Sequence, residues 1–296
     1  MGKLAIKIDV DTYRGTKEGN PKLAQILSEA EAPALFLFSL GPDNTGKALR
    51  RIFTKGFVKK CLRSNVAGNY GLKTLMYGTL LPAPNIGKKC KVQMQAIREM
   101  GFECGIHSWN HFKWQDYLFK MSKAEIAEEF VKAREAFREI FGFEANCCGA
   151  AGWQCSPLSL EVQDEANLKF CSDTRNGEPF IPQMGGKVFK TLQIPSTMLT
   201  LDEMLGRFSL EEILRKNLDE ASSEGMHIMT IHSELEGMAY AEYFEKFLKA
   251  AKEREVEFVS LNAYADKLLK DREKLPVKEV KLLPFEGRSA LLAQSI

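Results

Sequence analysis

The chemistry-bearing residues of this sequence fall into a few short motifs. His107 and His111, in Ile106-His107-Ser108-Trp109-Asn110-His111, stand four residues apart. On one helical turn that spacing puts both imidazoles on one face, where a single metal ion can bridge them. The first apolar segment ends Lys7-Ile8-Asp9-Val10-Asp11-Thr12, with two carboxylates separated by one residue. Capping histidines and turn-forming acids account for either motif alone. Together they supply two imidazoles and a carboxylate for a metal, with the second carboxylate left as a base. A third histidine, His232, ends the apolar run Met229-Thr230-Ile231-His232, where period-two alternation sets it opposite His227. His232 can thus share a mouth with the metal, whereas His227 is expected to be structural. Asp173, after Phe170-Cys171-Ser172, is a second acidic candidate, with a turn-forming role as the alternative.

These residues need elements to position them. Candidate strands cover 4–10, 34–40, 103–106, 145–149, 168–171, 187–194, 226–231 and 256–259. Amphipathic helices lie between them. Ser122 with Glu125 and Ser209 with Glu212 have capping-box spacing, and after the first box Ile126, Phe130, Ala133, Phe137 and Ile140 recur at helical spacing until Gly142. Strand-helix alternation predicts a parallel α/β sheet or barrel, with functional residues at the carboxyl ends of the strands. No repeat, low-complexity segment or linker divides the 296 residues, so one domain over 1–296 is expected. The stretch from Pro276, broken by Pro284 and Gly287, predicts an irregular tail packed on the domain or on a partner.

With 45% hydrophobic and 27% charged residues, disorder and a small disulfide scaffold are excluded. Seven scattered cysteines, two of them adjacent at Cys147-Cys148, predict reduced thiols. The N-terminus reaches charge before an apolar stretch can form, and the run from Ala32 to Leu40 is too short to span a bilayer, so neither a signal peptide nor a membrane span is expected. The net charge of +2 conceals an asymmetry. Between Asp43 and Glu99 there are twelve basic residues and no acidic one, leaving 29 basic against 39 acidic elsewhere. Leu49, Ile52, Phe53, Phe57, Val58 and Leu62 interleave with Arg50, Arg51, Lys55, Lys59, Lys60 and Arg63 at roughly helical spacing. An anionic membrane surface is favoured over nucleic acid as the partner, because no RNA-binding signature or aromatic stacking platform accompanies the charge. An ordinary solvated helix is the plain alternative.

The motifs resemble those of the polysaccharide deacetylase family, also called the NodB-homology or carbohydrate esterase 4 family. The resemblance rests on Asp9-Val10-Asp11, His107 to His111, Cys148 to Trp153, Ser172-Asp173-Thr174-Arg175 and Thr230-Ile231-His232, in the family's order over about 225 residues. Further motifs are similar to a branch of the family that deformylates a lipid-linked sugar. These are Arg14-Gly15-Thr16, Gly41-Pro42-Asp43-Asn44, Gln193-Ile194-Pro195, Glu234 to Gly237, and the ending from Gly287-Arg288 to Ile296. The resemblance implies a distorted (β/α) barrel and a divalent zinc, cobalt or manganese ion held by Asp11, His107 and His111. It makes Asp9 the general base and His232 the acid that protonates the leaving amine. Val10 separates aspartates that are adjacent in many members, so the roles of Asp9 and Asp11 could be exchanged. Gly149 stands where the family's base-orienting Arg is usual, and Arg175, beside Asp173, is expected to replace it. The implied substrate is undecaprenyl-phosphate-linked 4-deoxy-4-formamido-L-arabinose, met on the cytoplasmic side of the bacterial inner membrane, with the basic insertion at about 44–91 facing the bilayer. Deformylation would expose an amine for lipid A modification and cationic-peptide resistance. A deacetylase of another N-acyl glycan and a non-catalytic membrane- or glycan-binding module are the alternatives. The intact acids and histidines argue against the last.

Overall fold

The computed structural model describes residues 1–48 and 70–296. In chain order the strands are β1 (Gly2–Val10), β2 (Ala34–Ser39), β3 (Glu103–Ser108), β4 (Cys147–Cys148), β5 (Phe170–Cys171), β6 (Ile181–Met184), β7 (Lys187–Val188), β8 (Leu192–Gln193), β9 (Gly225–His232), β10 (Glu257–Phe258), β11 (Val277–Leu283) and β12 (Leu292–Ser295). β1 pairs in parallel with β9, β10 and β2, and the sheet continues in parallel through β3, β4 and β5 to β8. The eight strands run the same way and curl into an open, distorted (β/α) barrel. Their carboxyl ends therefore share one rim.

The alternation of β1 shows how the sequence sets this up. Leu4, Ile6, Ile8 and Val10 pack with Leu23, Met94, Ile126, Phe137, Ile213 and Phe244 in the core beneath the surrounding helices. Ala5 points the other way and joins Leu35, Leu37, Cys147, Phe170, Leu192 and Ile228. Lys7 and Asp9 share the parity of Ala5, so they face the barrel interior above that apolar floor. Each fully buried aliphatic side chain contributes about 1.5–3 kcal/mol, and a one-residue slip would exchange the two faces. Register is thereby fixed, and with it the height of Asp9.

Both expected capping boxes form, at Ser122 with Glu125 and at Ser209 with Glu212. The helix Lys123–Phe141 stops at Gly142, whose φ of 78° suits glycine. Two expectations are corrected. The single strand expected over 187–194 is divided between two sheets. Asp164 accepts hydrogen bonds from the amides of Lys190 and Thr191 at 2.8–2.9 Å, drawing the chain out of line between β7 and β8. β7 turns back on β6 through Gly185 and Gly186, both at positive φ, as a two-residue hairpin favours. The segment from Pro276 is not irregular. β11 and β12 complete a second sheet in the order β12-β11-β6-β7. Val280 and Ala293 are buried there with Cys155, Leu160, Phe180 and Phe189, a small core too dispersed in sequence to show as periodicity.

Candidate active site

The rim brings Asp9, Asp11, His107, His111 and His232 together. Asp9 and His232 are direct partners in the parallel register of β1 and β9. His107 is carried by β3, which continues through Ser108, while His111 opens the helix His111–Tyr117 behind the N-cap Asn110. The two imidazoles converge across a strand-to-helix corner rather than along one helical turn, with ring centroids 5.2 Å apart. Asp11 Oδ1 lies 3.2 Å from His107 Nε2 and 3.4 Å from His111 Nε2.

His107 Nδ1 is 2.7 Å from the carbonyl of Gly149. That carbonyl can only accept, so Nδ1 carries the hydrogen and Nε2 turns a lone pair toward Asp11. Asp11 Oδ1 is buried and makes no hydrogen bond. An unpartnered carboxylate oxygen facing the lone pair of His107 Nε2, with His111 Nε2 converging on the same point, fits a divalent metal. The donor set of one carboxylate and two imidazoles suits zinc, cobalt or manganese. Without a metal, protons take its place. Burial opposes the charge on Asp11, but His111 and His107 outweigh it and hold the carboxyl far below its usual range. Burial likewise opposes protonation of His107, and the charges of Asp9 and Asp11 raise its pKa nonetheless.

Glu234 sets the end of β1. Its Oε1 accepts from the Thr12 amide at 2.8 Å, the Thr12 hydroxyl at 2.7 Å and the Asp11 amide at 3.2 Å. Burial, reinforced by the Asp11 charge, raises the Glu234 carboxyl well above the ordinary range. This clamp needs the segments after β1 and β9 to touch. A Cβ on Gly19 would fall 2.2 Å from the Ser233 carbonyl oxygen, and one on Gly237 would fall 2.6 Å from that of Gly19. Only glycine permits the approach.

Neither Asp173 nor Arg175 joins the group formed by Asp11, His107 and His111. Asp173 is fully buried and accepts from the Ala150 amide at 2.7 Å, Gln163 at 2.8 Å and Gln193 at 3.1 Å. Burial raises its carboxyl, and these bonds hold the loop that carries Gly149. Arg175 does not orient Asp9. Its guanidinium makes two 3.1 Å contacts with Glu203, donates to the Met198 carbonyl and lies between the rings of Trp153 and Phe285. The cation beside Asp9 is Lys7, 3.6 Å away. Sequence reasoning did not single out Lys7, although a lysine within an apolar strand, at the parity of Asp9, is a readable signal. It also missed the role of Trp153, a buried residue with φ of 50°. Its ring meets Lys7, Arg175, Arg288 and His232, and its indole donates to Ser196. A strained non-glycine backbone at such a hub marks a position held by its surroundings.

Residues 6–170 match the family model described as polysaccharide deacetylase. The chain is also 36% identical over 299 residues to a protein of Shewanella sediminis, covering 98% of this chain and 94% of that one. The chain belongs to the polysaccharide deacetylase family. The Shewanella relative is named "Probable 4-deoxy-4-formamido-L-arabinose-phosphoundecaprenol deformylase ArnD", as is one from Wigglesworthia glossinidia brevipalpis, 30% identical over 94% of this chain and 97% of its own length. Among solved structures, a polysaccharide deacetylase structure from Mycobacterium smegmatis superposes with a TM-score of 0.64 at 14% identity, covering 97% of this chain and 96% of that one. One from Pseudomonas aeruginosa PAO1 gives 0.62 at 13%, covering 91% and 92%. These likenesses establish the polysaccharide deacetylase fold. The helical part of the basic stretch expected around Arg50, Arg51, Lys59 and Lys60 lies outside the described residues.

Proposed function

We propose that this amide-hydrolysing enzyme is a metal-dependent deformylase, converting undecaprenyl-phosphate-linked 4-deoxy-4-formamido-L-arabinose and water to the 4-amino sugar and formate. The observation that carries the reading is the convergence of Asp11, His107 and His111, with Asp9 and His232 paired in register at the same rim. The names of the full-length relatives supply the substrate. A divalent cation held by Asp11, His107 and His111 would supply Lewis acidity, lowering the pKa of water toward about 7 and drawing charge from the formyl oxygen.

The chain's own groups move the protons. Asp9 accepts one from water as the new C–O bond forms at the formyl carbon. His232 donates one to the amide nitrogen as the C–N bond breaks, because an amide anion is too basic to leave unaided. Formate and the amine depart, and solvent restores both side chains. The amine would mask lipid A phosphates and confer resistance to polymyxin and other cationic peptides.

A lipid-linked substrate supports a peripheral position at the membrane, which the reading assigns to the cytoplasmic face of the inner membrane, with one catalytic unit over 1–296 and its basic segment at about 44–91 as the part proposed to meet the bilayer. Leu72, next to Lys73 in the chain, and Leu80 are 73% and 81% exposed, which suits a surface pressed against headgroups. Each basic residue there adds about 1 kcal/mol of attraction to an anionic leaflet. No helix among the described residues is long and apolar enough to cross a membrane. Changing Arg50, Arg51, Lys59 and Lys60 to Glu is expected to abolish co-sedimentation with anionic vesicles; unchanged sedimentation would remove the membrane role.

The primary test is formate release from the lipid-linked formamido sugar, with and without chelator, beside a folded His107→Ala variant. Chelator-sensitive release that is lost in the variant is expected. Acetate release from an N-acetyl sugar, with no formate from the formamido sugar, would replace the deformylase by a deacetylase.

A further inference from the structure

Lys7 is fully buried on the interior face of β1, between Ala5 on the apolar floor and Asp9 at the rim. An ammonium in that position costs several kcal/mol unless it is paired and hydrogen-bonded. Its surroundings are built for it. The amine donates to the Ser172 carbonyl at 3.2 Å, lies 5.4 Å from the Trp153 ring centroid and stands 3.6 Å from Asp9 Oδ1. Burial lowers its pKa, while the charges of Asp9 and Asp173 act to restore it. Asp9 Oδ1 is buried and makes no hydrogen bond, and the other nitrogen near it, His107 Nδ1, is farther at 3.9 Å and already committed to Gly149.

The space beside Gly149 completes the argument. A Cβ there would lie 2.6 Å from Leu37 Cδ1 and 3.4 Å from Lys7 Nζ. No side chain can extend from that loop without displacing the floor, and the amine of Lys7 reaches the same space from the strand. Arg175, with its guanidinium on Glu203, does not compete for it.

We propose that Lys7 is a positioning residue: anchored by Ser172 and Trp153, its ammonium holds the Asp9 carboxylate in the orientation that accepts a proton from water. Lys7 acts through Asp9 and does not touch substrate. The inference rests on the reading of Asp9 as the base.

The test compares Lys7→Met, Lys7→Arg and Asp9→Asn, alone and combined, by steady-state formate release and metal stoichiometry. Lys7→Met is expected to lower kcat by about a hundredfold, the cost of misplacing a reacting group by roughly an ångström. KM and bound metal should remain unchanged, and Lys7→Arg should recover part of the loss. In the Asp9→Asn background Lys7→Met should add no further loss. A kcat within about threefold of the parent, or losses that multiply in the double variant, would overturn the inference. A second readout needs neither turnover nor a folded Lys7→Met. A slowly exchanging lysine ammonium signal in ¹⁵N NMR, assigned by its disappearance in Lys7→Arg, should move in Asp9→Asn. No such signal, or one that Asp9→Asn leaves in place, would count equally against Lys7, whereas a wild type without formate release would instead remove the deformylase reading.

Discussion

Two buried charge clusters lie near the rim, and their contrast separates chemistry from architecture. In the Arg175 cluster every charge meets its opposite. Arg175 spans both oxygens of Glu203 at 3.1 Å, and Arg288 reaches Glu203 at 2.6 Å and Asp202 at 3.1 Å. Two cations and two carboxylates close on themselves, and Phe285 and Arg288 tie the C-terminal segment to the barrel wall. In the Asp11 cluster a carboxylate oxygen and two imidazole nitrogens face one another, and Asp11 Oδ1 makes no hydrogen bond. Burial and displaced pKa values occur in both. The unpartnered Asp11 oxygen distinguishes the centre that fits a cation from the one whose charges are already paired.

The largest effect that would break this contrast comes from the matched cluster. Arg175→Met leaves Glu203 buried with one cation fewer and should cost about 3–5 kcal/mol of stability, read by urea unfolding. Metal stoichiometry in the folded fraction should be unchanged. If stability were retained while activity disappeared, Arg175 would belong to the chemistry. A smaller effect sharpens the other side. A metal that binds only the folded chain stabilises it by about 2.7 kcal/mol at a hundred times its Kd. Zinc, cobalt or manganese should therefore raise the Tm of the wild type and of Arg175→Met, but not that of His107→Ala. A Tm gain that survived in His107→Ala would place the metal elsewhere.

What the sequence disclosed follows the same division. The parallel strand-helix alternation was legible because continuous apolar strands, capping boxes and Gly142 are local signals, whereas the distorted barrel was implied by the family resemblance. That Asp9, Asp11, His107, His111 and His232 meet at one rim was legible because each stands at or just beyond a strand end. The strand over 187–194 failed because the hydrogen bonds that divide it come from Asp164, which no window around the strand contains. β11 and β12 failed because their core is drawn from residues 155 to 293. Arg175 was assigned to Asp9 by proximity to Asp173 in sequence. The fold gives the guanidinium to Glu203, 28 residues on, and gives Asp9 a lysine only two residues back in its own strand.

Glu236 offers the smallest and most discriminating test, because it has an unmatched acceptor without a metal ligand's neighbours. Its Oε2 accepts from the His232 amide at 2.9 Å, while Oε1 is buried without a hydrogen bond. Burial raises its pKa to about 8, so a proton, rather than a metal, settles the charge. The ordinary carboxyl of the unfolded chain titrates near about 4.3. Between these values the folded state holds a proton that the unfolded state has lost, so this group's contribution to stability falls as pH rises and levels off above about 8. Glu236→Gln keeps an oxygen for the His232 amide and removes the titration. Urea-unfolding free energies from pH 5 to 8 should then decline less steeply in Glu236→Gln than in the wild type. Parallel slopes would mean that Glu236 is ionised in the fold, and that an unmatched buried carboxylate oxygen beside β9 does not by itself call for a proton or a metal.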